Sequence, residues 1–140
     1  MSMPAEHMIQ APTVADLLQG YVDAPRISVG GIASDSRLLR EGFLFLAVQG
    51  MSSHGLNFLG QAKEAGVCAV AWDASTGSEP ADIGVPMIAV DGLAAKLGEI
   101  ANRFYGRPSE HLDVIGVTGT NGKTTVAWMI AQAGELLDER

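Results

Sequence analysis

A glycine-rich segment near the carboxyl end of the chain carries the residues best suited to chemistry. It reads Val-Thr-Gly-Thr-Asn-Gly-Lys-Thr-Thr over residues 117–125 and lies between an apolar stretch and a helical pattern. The backbone N–H groups of such a turn, beside the positive end of a helix dipole, form a site for an anion. Lys123 can reach terminal phosphates, and the Thr124 hydroxyl can ligate Mg²⁺. The segment therefore predicts binding of a nucleoside triphosphate.

The glycine spacing of this segment departs from the usual phosphate-loop pattern. G-x-x-x-x-G-K-[ST] would need a glycine at position 117, where the chain has Val117. The order of the elements nevertheless fits a phosphate loop, since an apolar strand is followed by the turn, the Gly-Lys-Thr triplet and an amphipathic helix. This order favours phosphate binding over a purely structural turn. The predicted ATP-binding residues are Gly119, Thr120, Asn121, Gly122, Lys123, Thr124 and Thr125.

Two elements must hold this loop, a strand over 112–117 and a helix over 123–137. They are typical of the start of a doubly wound α/β domain. One strand and one helix cannot bury their apolar faces against each other alone. We therefore expect the chain to be the N-terminal piece of a longer protein, with a domain at 1–108 and the truncated start of a second at 109–140. The boundary lies in the Gly- and Pro-containing segment 106–111.

The sequence ahead of that boundary predicts a small α/β domain. Apolar runs beside glycines predict buried strands, and apolar residues at helical spacing predict amphipathic helices. We expect Thr13 to cap the first helix and Asp91 the last. The predicted strands are 27–34, 43–48, 67–72 and 85–90, and the predicted helices are Val14–Leu18, 56–65 and 93–105.

Composition excludes several classes of function. The 140 residues carry nine Lys and Arg against sixteen Asp and Glu, a net charge of −7, which argues against nonspecific nucleic-acid binding. No apolar run approaches the roughly 18 to 20 residues of a membrane span, and the amino terminus does not resemble a secretory signal. We therefore expect a cytoplasmic protein without membrane insertion. The single cysteine, Cys68, is predicted to be a buried apolar residue.

The loop variant at 118–125 resembles the ATP loop of the Mur ligases, which add amino acids to a UDP-linked muramyl precursor of peptidoglycan. Cyanophycin synthetases and folylpolyglutamate synthases carry relatives of this loop. Three segments ahead of the loop resemble the N-terminal uridine-nucleotide domain shared by the third-residue and dipeptide-adding Mur ligases: SDSR at 34–37, EGFLFLAVQG at 41–50 and HGLNF at 54–58. The segment FYGRPS at 104–109 is also similar to the third-residue (MurE) type. The dipeptide-adding type usually has Ser-Ser where this chain has Thr120-Asn121, so the resemblance favours the third-residue type.

The resemblance implies a small UDP-substrate domain followed by the start of a central ATPase domain. It assigns catalysis to Lys123, Mg²⁺ to Thr124, and the UDP-substrate contacts to Ser34, Ser36, Met51, Ser52 and Ser53. From the residues alone, serines in turns are more often local caps. The chain also has Phe43 where the family often has Asp.

The implied reaction uses ATP and Mg²⁺ to activate the carboxylate of UDP-N-acetylmuramoyl-L-Ala-D-Glu as an acyl phosphate, which an amino acid then displaces. Whether that amino acid is diaminopimelate or lysine stays open. We expect a monomer that is inactive as this piece alone. The alternatives are a dipeptide-adding (MurF type) ligase, a truncated module that only binds a UDP-sugar, and a different ATPase or kinase with the same loop.

Other polar and aromatic residues are assigned structural roles. His54 beside Gly55 is predicted to be a turn residue and not an acid or base. His7 and His111 lack partners at metal-ligand spacing. The remaining structural predictions are for Asp35, Arg37, Trp72 and Trp128.

Overall fold

The computed structural model describes residues 11–50, 53–112 and 115–138. The chain divides into two units, Met1–Pro108 and Ser109–Arg140. The point of division lies within the segment 106–111, which contains a glycine and a proline. The ligand of each unit stays a prediction.

The first unit is built on a four-stranded parallel sheet. Its strands are β1 (Gly31–Ala33), β2 (Phe43–Ala47), β3 (Ala69–Asp73) and β4 (Met87–Val90), and they lie side by side in chain order. All three neighbouring pairs are parallel. The predicted α/β class with buried parallel strands is therefore confirmed.

Helices cover both faces of this sheet. Helices α1 (Val14–Leu18) and α3 (Leu93–Phe104) pack with alternate strand residues such as Leu44 and Leu46, whereas α2 (Leu59–Ala65) packs with Phe45 and Ala47. These four strand side chains are at most 3% exposed. Burial of each Leu or Phe contributes about 1.5 to 3 kcal/mol, so the continuous apolar run of β2 holds the three layers together.

Two predicted elements in the first unit differ from those observed. Strand 27–34 is reduced to the three residues of β1, because Ser28 instead forms an isolated bridge with Thr13, and the Gly30 N–H donates to the carbonyl of Gly42. Helix 56–65 begins with a 3₁₀ turn, Gly55–Phe58, before α2. The first difference comes from backbone partners outside the element, which local spacing does not reveal.

The amino-terminal caps of α1 and α3 differ in origin. Thr13 caps α1 through a reciprocal pair of hydrogen bonds with Asp16, as predicted. The predicted cap of α3 by Asp91 is wrong, since Gly92 is the cap residue and makes no side-chain cap bond. The carboxylate of Asp73, at the end of β3, accepts the N–H groups of Gly92 at 3.1 Å and Ala94 at 3.3 Å instead.

The second unit contains the predicted helix as α4 (Lys123–Asp138). The predicted strand 112–117 is not formed in its described part, which is residue 112 and residues 115–117. A strand exists through hydrogen bonds to a neighbour, and the described part of this unit has no second strand to supply them. The apolar residues Val126, Met129 and Leu137 of α4 are exposed. Over the described ranges, no helix has both the length and the apolar character to cross a bilayer.

Arg103 joins α3 to the end of α1. Its guanidinium donates to the carbonyl oxygens of Leu17 at 3.1 Å and Gln19 at 2.7 Å, pairs with Glu99 at 3.0 Å, and lies 4.9 Å from the ring centre of Tyr21. Only 17% of this side chain is exposed. These contacts satisfy carbonyls that the end of a helix leaves unpaired.

We expect Arg103→Lys to lower the free energy of unfolding by about 1 to 3 kcal/mol, because a single ammonium cannot replace the planar, forked set of donors. Urea denaturation of the wild-type and variant proteins measures this difference. Arg40→Lys, at an exposed position, is the matched control. Equal stabilities of Arg103→Lys and wild type would contradict the assigned role.

Candidate functional site

A cavity of about 520 Å³ opens beside the carboxyl ends of β1 and β2. In parallel α/β sheets, ligands bind outside the carboxyl ends of the strands. Three of the five predicted UDP-substrate residues line this cavity, whereas Met51 and Ser52 lie outside the described residues. The lining residues are Ser34, Asp35, Ser36, Arg37, Val48, Ser53, Gly55, Phe58 and Gln61.

A short 3₁₀ turn directly after β1 fixes the serines on one wall of the cavity. The carboxylate of Asp35 caps this turn, Ser36–Leu38, by accepting the N–H of Arg37 at 3.0 Å. It also forms a 2.6 Å ion pair with the guanidinium of Arg37. Hydrogen bonds from the Arg37 side chain and backbone lower the pKa of Asp35 to about 2. The Asp35–Arg37 pair therefore has the structural contacts that the sequence predicted, although both residues also line the cavity.

The opposite wall is a tight loop that follows β2. The Gly50 N–H donates to the Ser53 carbonyl at 2.9 Å, and the Gly55 N–H donates to the Val48 carbonyl at 2.8 Å. A Cβ at position 55 would lie 2.7 Å from the Cα of Ala47. Only glycine allows the loop to return this closely across the end of β2. Ser53 is thereby held beside the cavity.

The side chain of His54 stabilises this loop from outside the cavity lining. Its Nδ1 accepts the N–H of Leu56 at 3.1 Å and so caps the 3₁₀ turn Gly55–Phe58. Its Nε2 lies 3.1 Å from Oγ1 of Thr76, which belongs to the segment after β3. The turn role predicted for His54 is confirmed, and the contact with Thr76 is additional.

The phosphate loop of the second unit has the backbone expected of an anion cradle. Gly119 has φ +145° and Gly122 has φ +76°, conformations that favour glycine. Helix α4 begins at Lys123, whose Nζ contacts the carbonyl oxygen of Gly119. All seven predicted ATP-binding residues, 119–125, are exposed.

Lys123 and Thr124 lie together at a second cavity, of about 570 Å³. Its other lining residues are Ile115, Val117, Ala127 and Trp128. The packing role predicted for Trp128 is wrong, because 63% of this residue is exposed. Trp72 does pack in the core of the first unit, as predicted. Within the described ranges, no three His, Cys, Asp or Glu residues cluster as metal ligands.

Comparison with known proteins identifies the class of this chain. The family described as "Mur ligase family, catalytic domain" matches residues 28–105. The chain belongs to the Mur ligase family.

Two individual relatives are similar to most of this chain. The chain is 52% identical over 106 residues to the UDP-N-acetylmuramoyl-L-alanyl-D-glutamate–2,6-diaminopimelate ligase of Pseudomonas aeruginosa, covering 76% of this chain and 22% of that protein. It is 42% identical over 132 residues to the ligase of the same name from Xanthomonas campestris, covering 93% and 26%. The chain thus spans about a quarter of the length of the curated relatives it matches.

A solved structure is similar over most of the chain. It is the UDP-N-acetylmuramoylalanyl-D-glutamyl-2,6-diaminopimelate–D-alanyl-D-alanyl ligase of Acinetobacter baumannii, at 28% identity and a TM-score of 0.62. The match covers 81% of this chain and 26% of that one. This neighbour is named for addition of a dipeptide, the alternative activity considered from the sequence.

Sequence reasoning did not assign Val48, Phe58 and Gln61 to a site, although they line the first cavity. Gln61 lies in the first turn of α2, which follows the loop after β2. A polar residue at the start of a helix that follows a parallel strand could have indicated it, since such positions face the carboxyl edge of the sheet.

Proposed function

We propose that this chain is the UDP-substrate and ATP-loop region of a ligase that adds diaminopimelate to UDP-N-acetylmuramoyl-L-alanyl-D-glutamate in the cytoplasm. The observation that carries the proposal is the cavity at the carboxyl edge of the sheet, where Ser34, Ser36 and Ser53 from two separate loops lie together. Two relatives of that name, at 52% and 42% identity, support the choice of reaction.

The first cavity suits a uridine nucleotide linked to a sugar. Each serine hydroxyl donates one hydrogen bond and accepts others, which fits the polar edge of uracil and the oxygens of a diphosphate. The walls contain Val48 and Phe58, apolar surfaces against which a ring or a sugar can pack. Met51 and Ser52, which directly precede Ser53 in the sequence, complete the proposed contact set.

The loop at 119–125 suits the triphosphate of ATP and its Mg²⁺. The positive φ of Gly119 and Gly122, the start of α4 and the pairing of Lys123 with Thr124 at one cavity support this assignment. ATP supplies the phosphoryl group that activates the substrate carboxylate for attack by the amine. The loop N–H groups and the Lys123 ammonium neutralise the charge of the phosphate oxygens, and the Thr124 hydroxyl offers one oxygen to Mg²⁺.

The second candidate reaction is addition of a dipeptide to the tripeptide precursor. The specific observation in its favour is the TM-score of 0.62 to the Acinetobacter baumannii enzyme named for that activity. We favour the third-residue reaction because this chain is 42–52% identical to two ligases named for diaminopimelate addition but 28% identical to the enzyme named for dipeptide addition.

A chimaera tests the proposed reaction. Residues 1–140 replace the segment of the Xanthomonas campestris ligase that matches them, and turnover is measured with ATP and each candidate pair of substrates. We expect amide formation with the UDP-muramyl-dipeptide and diaminopimelate, and none from residues 1–140 alone. Turnover only with the UDP-muramyl-tripeptide and D-alanyl-D-alanine would favour the second candidate, and no turnover with either pair would contradict both.

Ser36→Ala tests the UDP-substrate cavity. We expect this change to weaken binding of UDP-N-acetylmuramoyl-L-alanyl-D-glutamate by about 1 to 2 kcal/mol, through the loss of one hydrogen bond, without changing ATP affinity. Titration calorimetry on the chimaera measures both affinities. Ser78→Ala, at an exposed position outside the cavity lining, is the control. Unchanged UDP-substrate affinity in Ser36→Ala would contradict the proposed contact and would leave Ser36 with a local structural role.

A further inference from the structure

A chain of hydrogen bonds links the loop that holds Ser53 to the end of a different strand. His54 follows Ser53, and its Nε2 is 3.1 Å from Oγ1 of Thr76, 22 residues away in sequence. The Thr76 hydroxyl donates to the backbone carbonyl of Asp73 at 2.8 Å. The loop after β2 is therefore joined by side chains to the segment after β3.

The contacts around His54 define which ring nitrogen carries the proton. The backbone N–H of Leu56 can only donate, so the Nδ1 atom facing it is an acceptor. The proton of the neutral ring therefore lies on Nε2 and points to Thr76 Oγ1. The Thr76 hydroxyl accepts this bond and uses its own proton for the Asp73 carbonyl. Each donor in this series of hydrogen bonds therefore faces an acceptor, and the His54 ring takes part in two of the bonds.

At its far end, this series of hydrogen bonds reaches Asp73, which has several other contacts. The carboxylate of Asp73 accepts hydrogen bonds from the N–H and hydroxyl of Ser75 and from the N–H groups of Gly92 and Ala94 at the start of α3. Asp73 is only 5% exposed. Thr76 is thus attached to a point where β3, the 3₁₀ turn Ala74–Thr76 and α3 meet.

At its other end, the series of hydrogen bonds begins in the loop that forms one wall of the first cavity. Ser53 and Gly55, on either side of His54, both line the first cavity, whereas His54 does not. The backbone bonds of Gly50 and Gly55 hold this loop only to itself and to Val48. Among the described hydrogen bonds of the loop, the contact between His54 and Thr76 is the one that reaches another strand's loop.

We propose that His54 and Thr76 are positioning residues for the UDP-substrate cavity: they hold Ser53 at the distance from Ser34 and Ser36 that the ligand requires. This inference rests on the proposed function of the cavity. Neither residue lines the cavity. Their contact preorganises the loop, so less conformational entropy is lost when the substrate binds.

Thr76→Val tests the contact, because valine keeps the branched shape and removes the hydroxyl. We expect it to lower the affinity of the chimaera for UDP-N-acetylmuramoyl-L-alanyl-D-glutamate about 3- to 10-fold, the effect of one lost hydrogen bond. Thr76→Ser, which keeps the hydroxyl, should restore the affinity. His54→Asn can still cap Leu56 through its amide oxygen but is too short to reach Thr76, so it should match Thr76→Val.

The double variant distinguishes positioning from general destabilisation. If His54 and Thr76 act through one contact, His54→Asn combined with Thr76→Val should bind no more weakly than either single variant. A role confined to stability would lower the melting temperature while the folded variants kept wild-type affinity, and that result would overturn the inference. Additive losses in the double variant would also overturn it. Failure of the wild-type chimaera to bind the UDP-substrate would instead reject the proposed function, and the inference with it.

Discussion

Replacing Lys123 by alanine in the chimaera is expected to lower turnover by about 10² to 10⁴-fold, equivalent to roughly 3 to 5 kcal/mol of transition-state stabilisation. Lys123 is the only cationic side chain between residues 118 and 125. Its removal leaves the loop N–H groups in place but takes away the charge that we propose neutralises the transferring phosphoryl group. Steady-state turnover, measured at saturating UDP-substrate and diaminopimelate, gives the size of the loss.

Two further variants define what a loss at Lys123 means. Lys63→Ala removes an exposed cation from the last turn of α2, far along the chain from the loop, and should leave turnover unchanged. Lys123→Arg keeps the charge but changes the geometry, so we expect an intermediate rate. UDP-substrate affinity should be the same in all three variants, because the serines of the first cavity belong to another unit. Intact turnover in Lys123→Ala would reject the phosphate-loop assignment.

Replacing Asp73 by alanine is expected to lower the free energy of unfolding by about 2 to 4 kcal/mol. This change leaves the N–H groups of Gly92 and Ala94 without their shared acceptor at the start of α3. Unpaired donors in a partly buried position cost more than the mean value of a hydrogen bond. Urea denaturation of the 140-residue chain, followed by the fluorescence of Trp72 in the neighbouring core cluster, reports the loss.

The matched control for Asp73→Ala is Glu79→Ala, which removes an exposed carboxylate from the turn-rich connection after β3. Its stability should stay within about 0.5 kcal/mol of wild type. If Asp73→Ala were equally benign, the start of α3 would not depend on a cap from another strand.

The same carboxylate makes part of the stability dependent on pH. Burial alone would raise the pKa of Asp73, but hydrogen bonds from Ser75 and from the N–H groups of Ala94 and Gly92 hold it below its ordinary value of 3.8. A carboxyl whose pKa is lowered by folding stabilises the protein fully above that ordinary value and loses its contribution as the pH falls below it. The stability difference between wild type and Asp73→Asn should therefore shrink as the pH falls below about 4.

Local patterns in the sequence determined which segments of the first unit form its main strands and helices, and which glycines of the predicted phosphate loop have positive φ. The apolar run of β2 has no polar residue that could face water, so both of its faces had to be covered. Thr13 and Asp16, three residues apart, together form a complete capping box. Gly119 and Gly122 adopt positive φ values that the loop requires of glycine. In the capping box and the loop, the residues that matter lie within a few positions of one another.

Tertiary structure decided the features that depend on residues distant in sequence. The cap of α3 comes from Asp73, about twenty residues earlier, because the parallel order of the sheet brings the end of β3 beside the end of β4. The same geometry brings Ser34 and Ser53 to one cavity and His54 to Thr76. The expected strand over 112–117 has no partner in the described part of its unit, since pairing, unlike helix formation, needs a second segment. Local spacing determines which groups can bond, but the fold determines which of them meet.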